Sequence, residues 1–413
     1  MKKLWICLLA GLSLAACKSA AVKELKNGTW QAKLHRADGA DIVFNFEVKD
    51  TAGQKVLYIL NANDRLLVDN VKLQGDSVFI RMPFFDSDFK ARLQDGGRLE
   101  GAWTRHLADK DVSIPFTATA DTPERFPVSA APEGKISGRW STWFVGKDKS
   151  DSSYAIGEFR QESGNRVVGT FLTTTGDYRF LDGVLNKDTL KLSTFDGSHA
   201  YLFTALLRGD SLINGTFFAG IGDGKETWSA YRDDSAKLQD ETTLATVKPG
   251  AGPLTFSFPN LDSQLVSLQD ERFKNKVVVI TLMGSWCPNC MDETGYLSDW
   301  YKKNKDRGVE VLGLAYERTN DFQKSKNSLS GFLKRFDVQY PVLITGVTPG
   351  DPEKAAKTLP QLTGIKGFPT TIFVDKKGNV SEVHTGFNGP GTGEHYEEFK
   401  YNFNRLIDKL LAE

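Results

Sequence analysis

Lys276-Val277-Val278-Val279-Ile280-Thr281-Leu282-Met283-Gly284-Ser285-Trp286-Cys287-Pro288-Asn289-Cys290 is the stretch on which the reading of this chain turns. Its near-continuous apolar run suits a central strand covered on both faces. Pro288 suits the first turn of a helix, where its missing N–H costs nothing. Two thiols three positions apart therefore sit where a buried strand passes into a helix. Cys290, Leu297, Trp300 and Tyr301 then share one helical stripe. At a helix start, free N–H groups and the macrodipole favour an anion, here the Cys287 thiolate over the thiol. The thiolate is the attacking species in disulfide exchange. Cys287 is therefore expected to be the nucleophile. Cys290, nearly one turn on and partly buried behind it, is expected to resolve the mixed disulfide.

The alternation of strands and helices continues downstream. Val309 to Ala315 reads as a strand, Ser328 to Phe336 as a helix, Tyr340 to Ile344 as a short strand. Thr370 to Asp375 reads as a strand entering a Lys376-Lys377-Gly378-Asn379 turn, with Val380 to Thr385 as its hairpin partner. A last helix places Tyr396, Phe399, Phe403, Leu406, Ile407 and Leu410 on one face. The expected fold is a mixed sheet with helices on both sides.

At these residues the sequence resembles the thioredoxin superfamily, and within it the TlpA/ResA-like extracytoplasmic thiol–disulfide oxidoreductases. Four matches carry the resemblance: Trp286-Cys287-Pro288-Asn289-Cys290 after the apolar strand; Gly367-Phe368-Pro369-Thr370 before the next; Glu293, three residues beyond Cys290; and the lead-in Phe256-Ser257-Phe258-Pro259-Asn260-Leu261 with Val266-Ser267-Leu268, like the family's N-terminal hairpin. The resemblance covers about residues 250–413. It implies a thioredoxin-like α/β fold and a redox disulfide between Cys287 and Cys290. It also implies a cis proline at Pro369 facing that pair, with the backbone before it, at Phe368, pairing with bound substrate. Trp286, Pro288, Glu293, Phe368 and Pro369 become supporting residues. There is one departure: the buried Asp that thioredoxins proper keep six positions before the first cysteine is Thr281 here. Glu293 is expected to take over proton handling, against the plainer reading of a solvated helix carboxylate. The stretch from Glu317 to Leu362 is longer than a minimal thioredoxin needs and is read as shaping partner choice.

Other chemistries fit less well. Zinc would need a second Cys/His pair, so no metal and no cofactor is expected. His384 after the motif makes a Cys/Cys/His copper site conceivable, but the cysteine spacing argues against it, and His384 reads as a surface strand residue. A peroxiredoxin arrangement is not supplied by Met283 and Ser285. A purely structural disulfide would close a tiny loop for little gain.

The chain has four cysteines, and the other two lie at the N-terminus. Lys2 and Lys3 precede an apolar stretch from Leu4 to Ala16 that is too short to span a bilayer, the pattern of an export signal. It ends in Leu14-Ala15-Ala16-Cys17, which resembles a bacterial lipobox. Cys17 is therefore the expected lipidation site, and Cys7 would leave with the signal at 1–16. Acyl chains at Cys17 would hold a soluble domain on a membrane, outside the cytoplasm, where disulfides persist. The 52 basic residues balance the 52 acidic ones, so nothing points to nucleic acid.

From Lys26 to Arg232 the chain reads as short alternating strands with turn signals such as Asp38-Gly39, Gln74-Gly75-Asp76 and Arg208-Gly209-Asp210. This half also looks duplicated. Gly28-Thr29-Trp30 matches Gly138-Arg139-Trp140 at an offset of 110, and Leu99-Glu100-Gly101 matches Ile213-Asn214-Gly215 at 114. Each copy has room for about eight strands, best closed as an up-and-down barrel or a sandwich. A filled β-core serving as spacer or docking module is the favoured reading, and a barrel for an apolar ligand the other. His35, His106 and His199 are read as isolated surface or turn residues.

The expected architecture is thus multidomain: a lipoprotein signal at 1–16, β-rich repeats at 26–120 and 134–232, a linker at 233–252 and a thioredoxin-like domain at 253–413. The expected function is a membrane-anchored extracytoplasmic thiol–disulfide oxidoreductase, a reductase of protein disulfides in the cell envelope, facing the periplasm or the cell surface. Its partners would be disulfide-containing envelope proteins and a membrane thiol electron donor. The alternative is a ligand- or partner-binding β-domain lipoprotein with an accessory redox domain.

Overall fold

The computed structural model describes residues 24–107, 110–148, 151–221 and 224–413. Cys7 and Cys17, with the export and lipidation readings, lie outside them. The N-terminal half is two barrel-like antiparallel sheets and the C-terminal part a mixed α/β sheet with helices.

The first sheet is a nine-stranded meander from Gly28–His35 to Asp111–Ala120. Its first strand pairs with its last, Trp30 lying opposite Ala120. The sheet thus curls onto itself and is broken only between Asp64–Val68 and Asn70–Gln74. The second sheet begins at Gly138–Val145 and ends at Lys225–Arg232, again pairing first strand with last. Here Ser152–Gln161 also pairs with Arg166–Thr173, which closes the ring and removes its edges.

The duplication is visible atom for atom at its start. Trp30 Nε1 donates to the Lys26 carbonyl and Trp140 Nε1 to the Ile136 carbonyl, each at 3.0 Å, and both rings are fully buried. Rings fill both interiors, including Phe44, Phe89 and Trp103 in the first and Phe144, Phe171 and Phe203 in the second. The two sheets are not separate bodies. Phe195 of the second stacks on Phe44 of the first at 4.2 Å between centroids and meets Trp103 edge-on at 5.2 Å. Asn61 brackets that residue, donating to the Phe195 carbonyl at 2.7 Å and accepting its N–H at 3.2 Å. The connecting segment supplies Arg125, a buried cation that donates to Ser193.

The segment 233–252 packs rather than dangles. It holds a single helical turn at Glu241–Thr243, buries Ala236 and Ala245, and runs beside 359–363, where Lys248 N donates to the Gln361 carbonyl at 2.8 Å.

The C-terminal sheet has the order Val342–Ile344, Val309–Ala315, Val277–Met283, Thr370–Val374, Val380–Thr385. The first three strands are parallel and the last two antiparallel to their neighbours. Val277–Met283 is central, and every residue in it is buried, as a run apolar on both faces requires. Helix Phe322–Arg335 starts six residues earlier than the periodicity suggests. Asp321 is the reason: its side chain accepts from Lys324 N at 2.8 Å and caps the helix. The last helix, Glu394–Ala412, buries Phe403, Ile407 and Leu410, three of its six expected apolar-face residues.

Candidate active site

The Val277–Met283 strand delivers the chain through Gly284-Ser285-Trp286 to helix Pro288–Asn304. Cys287 is the N-cap residue, with extended backbone (φ −102°, ψ 115°), and Pro288 takes the first helical position. The Cys287 sulfur accepts the Cys290 N–H at 3.2 Å, so a helix-terminal amide is aimed at it. The two cysteines form a disulfide with Cα atoms 5.2 Å apart. Cys287 is 5% exposed and Cys290 fully buried. Of the two sulfurs, that of Cys287 is therefore the one a substrate can approach.

The Phe368–Pro369 bond is cis. It turns the Phe368 carbonyl oxygen to within 3.6 Å of the Cys287 sulfur, and the Pro369 carbonyl accepts Gly386 N at 2.8 Å. Trp286 is pinned by a 2.8 Å hydrogen bond from Nε1 to the Tyr316 carbonyl, and its ring meets Phe368 edge-on at 5.7 Å. Of these residues Phe368 meets the Cys287 sulfur, Trp286 packs on Phe368, and Pro288 and Pro369 follow Cys287 and Phe368 in the chain.

Glu293 is buried, not solvated. Its carboxylate accepts from the hydroxyls of Thr281, on the central strand, and Thr371, on the next strand at 2.5 Å. Those two threonines face each other in the sheet register. Thr281, standing where a thioredoxin aspartate would be, therefore serves as a hydrogen-bond donor to the carboxylate on the helix. Burial pushes Glu293 up to about 7, against the pull of the two hydroxyls. It shares a helical face with Cys290, three residues away.

The second barrel reaches into this site, which the sequence reading did not foresee. Arg179 makes a two-pronged ion pair with Asp292, next to Glu293 on the helix, with Nε and Nη2 at 2.8 and 3.1 Å from its oxygens. The same guanidinium bonds Asp196 at 3.2 Å and stands 3.9 Å from Asp64. Burial, with Asp177 and Asp64 nearby, pushes Asp292 up to about 7 despite Arg179. Asp177 accepts the Gly389 N–H at 2.8 Å. Asn289, between the two cysteines, places its amide against the backbone of Asp177, donating to its carbonyl at 3.1 Å and accepting its N–H at 3.2 Å. Gly176 has φ +140°, and a Cβ there would lie 2.0 Å from the Asn289 side-chain amide, so only glycine allows this approach. Thr175 packs against Gly367, whose own Cβ would meet it at 2.4 Å.

The first barrel lies on the Trp286 side. Phe84 stacks on Phe336 at 5.2 Å and meets Phe332 at 6.3 Å, while Arg335 bonds the Leu67 carbonyl and Asp69. Between this contact and Trp286 a cleft of about 840 Å³ stays open.

The histidines are not brought to the pair. His384 is tucked between Glu241 and Glu382 on the outer strand, against Phe373. His35, His106 and His199 are not isolated either: each holds an aspartate, Asp41, Asp88 with Asp111, and Asp196 respectively. Asp292 lies off the apolar stripe of Cys290, Leu297, Trp300 and Tyr301 and reads in the sequence as an ordinary helix carboxylate. Its partner Arg179 lies 113 residues away, and nothing local predicts it.

Residues 248–398 match the Redoxin family. Among curated proteins, the chain is 28% identical over 144 residues to thiol-disulfide oxidoreductase ResA of Bacillus thuringiensis subsp. konkukian, covering 35% of this chain and 72% of that protein. It is 24% identical over 141 residues to ResA of Bacillus subtilis, covering 34% and 69%. Among solved structures, a thioredoxin family thiol:disulfide interchange protein from Chlorobium tepidum is 25% identical, with 38% of this chain and 95% of that chain covered and a TM-score of 0.30. The C-terminal region is accordingly a Redoxin domain, a ResA-like thiol–disulfide oxidoreductase region that carries the Cys287–Cys290 pair.

Proposed function

We propose that the protein is a lipid-anchored, extracytoplasmic reductase of protein disulfides, with Cys287 as nucleophile and Cys290 as resolving thiol. The observation that carries the roles is the asymmetry of the pair. Cys287 caps the helix, receives the Cys290 N–H and faces the Phe368 carbonyl, while Cys290 is sealed beneath it.

In the reductive direction the Cys287 thiolate attacks one sulfur of a substrate disulfide. A mixed disulfide forms and the first substrate thiolate leaves, to be protonated. The Cys290 thiol then loses its proton, and its thiolate attacks the Cys287 sulfur. The Cys287–Cys290 disulfide forms and the second substrate thiolate leaves. The substrate gains two electrons from the pair and two protons, one originating on Cys290 and one from solvent. Glu293, pushed near neutrality and three residues from Cys290 on the same helix, would take the Cys290 proton in the second step. A membrane thiol donor would return the electrons. Anchoring rests on the Leu14-Ala15-Ala16-Cys17 lipobox, and reduction, rather than oxidation, on the resemblance to lipid-linked TlpA-like proteins. The substrates would be disulfide-containing proteins of the envelope.

Cys290→Ser in the full-length protein should trap Cys287-linked mixed disulfides with envelope proteins, separable on non-reducing gels and lost on reduction. Cys287→Ser should trap none. Equal trapping by both variants, or by neither, would contradict the assigned roles. Titration of Cys287 in the reduced protein tests direction: a thiolate far below neutral with a strongly oxidising potential would make it an oxidase.

A further inference from the structure

The cleft beside Trp286 has walls from two parts of the chain: Phe84, Phe85 and Arg105 from the first barrel, Trp286, Arg318 and Phe332 from the redox domain. Its charges do not cancel. Arg81 is neutralised by Asp86 and Asp88, and His106 is held by Asp88 and Asp111. Glu317 spends both oxygens on the Ser285 N–H and hydroxyl, each at 2.8 Å, and burial raises its pKa. Two guanidiniums are left over, beside the ammonium of Lys324. Arg105 touches Ser198 at 3.4 Å, and its Nε is buried with no hydrogen-bond partner. Arg318 is exposed and lies over the Trp286 ring, 5.0 Å from its centroid. Among the described residues neither has a carboxylate within ion-pair distance. Burial and the charge of Arg318 both lower the Arg105 pKa. Unpaired like charges sharing a partly desolvated cleft are a standing cost that an incoming anion would relieve.

The apolar wall is also set at a cost. Phe85 and Asp86 are successive non-glycine residues in the left-handed region, φ +64° and +44°. The turn is held from both sides, by Met82 N on the Ser87 carbonyl and His106 N on the Asp86 carbonyl, both at 2.9 Å. Strain maintained in this way is typical of positions that serve a site.

We propose that this cleft seats the polypeptide flanking the substrate disulfide, and that Arg105 and Arg318 select a segment bearing an Asp or Glu close to the reacting cysteine, with an apolar side chain against Phe84 and Phe85. The inference rests on the reading of the chain as a reductase of protein disulfides and adds a substrate class to it. Trp286 joins Cys287 to the cleft. The acidic side chain would then lie within a few residues of the substrate cysteine. A small anionic disulfide would satisfy the guanidiniums but leave the phenylalanine wall uncovered, so a peptide is the better fit.

The test uses the reduced full-length protein and two cystine-linked peptides, alike except for Glu or Lys three residues from each cysteine. The Glu peptide should be reduced about tenfold faster at low ionic strength, the scale of modest electrostatic steering, and the preference should shrink in high salt. Arg105→Gln with Arg318→Gln should bring the two rates together, and Arg318→Glu alone, at an exposed position, should reverse the order. The ratio is the readout, so a general loss of activity cancels. Equal rates in the wild type, or an unchanged ratio in both variants, would overturn the proposal. So would glutathione disulfide reacting as fast as the Glu peptide, which would make the cleft a small-molecule site. Wild-type reduction of uncharged 2,2′-dithiodipyridine separates the two levels. If that fails, the redox reading itself fails; if it proceeds without peptide discrimination, only the cleft assignment falls.

Discussion

The two barrels are copies of one design, yet they meet the redox domain with opposite chemistry. The second does so through polar groups at hydrogen-bond distance: Arg179 on Asp292, Asp177 on Gly389, and the Asn289 amide on the Asp177 backbone. The first does so through rings, Phe84 stacked on Phe336 and edge-on to Phe332, with Arg335 at the rim. Polar contacts are directional and fix position to within a hydrogen bond's tolerance. Ring contacts here rest mainly on apolar burial, which is non-directional. The second barrel thus locks one side of the cysteine pair, and the first leaves the cleft open on the other.

The largest effect should come from the lock. Arg179→Met leaves Asp292, Asp196 and Asp64 around a methionine. Removing one partner from a buried ionic group typically costs about 3–5 kcal/mol, to be read by urea denaturation at pH 7. Because Asp292 rises to about 7 even with Arg179 present, part of that loss should be recovered at pH 5, where it holds a proton. A loss that is the same at both pH values would mean the interface is not electrostatic.

Phe84→Ala attacks the other side. Truncating a buried phenylalanine costs about 3 kcal/mol, and here the loss should show no pH dependence between 5 and 7. An effect larger than that of Arg179→Met would invert the comparison and make the first barrel the tighter partner.

The difference between the barrels was not legible in the sequence, although much else was. The apolar run Val277–Met283, the Cys-x-x-Cys at a helix start and the Phe-Pro-Thr before a strand each report local structure, and they specify the redox domain. The duplication is legible because Gly28-x-Trp30 and Gly138-x-Trp140 keep the same local job, each indole bonding a carbonyl four residues back. What could not be read are pairings between distant residues of ordinary type. Arg179 sits in a turn after the short strand Gly176–Asp177 and looks like any surface arginine until Asp292 is placed against it. Phe195 reads as core of its own barrel but caps the core of the other. Glu293 was recognised by its spacing from Cys290. Its burial depends on Thr281 and Thr371 coming side by side from strands 90 residues apart, which register, not periodicity, decides.

The adjacent carboxylates Asp292 and Glu293 carry the same comparison down to one turn of helix. Both are pushed to about 7 by burial, but Asp292 is held by a cation from another barrel and Glu293 by two hydroxyls of its own sheet. An acid whose pKa rises from 4.5 to about 7 on folding keeps its proton in the folded state after the unfolded chain has lost it. Its contribution to stability is therefore present at low pH and lost as the pH climbs from 4.5 towards 7. Glu293→Gln retains an acceptor for the threonines but cannot ionise, so it removes this loss. Relative to wild type it should gain about 2 kcal/mol between pH 5 and pH 8, after discounting the full shift for relaxation, in urea denaturation of the oxidised protein. Part of the residual fall in the variant should then belong to Asp292 and shrink further in Glu293→Gln with Asp292→Asn, the remainder belonging to other buried acids with raised pKa such as Asp177 and Glu317. Identical pH slopes in wild type and Glu293→Gln would show that Glu293 is ionised throughout the range, leaving it a carboxylate of ordinary basicity, poorly matched to the Cys290 thiol.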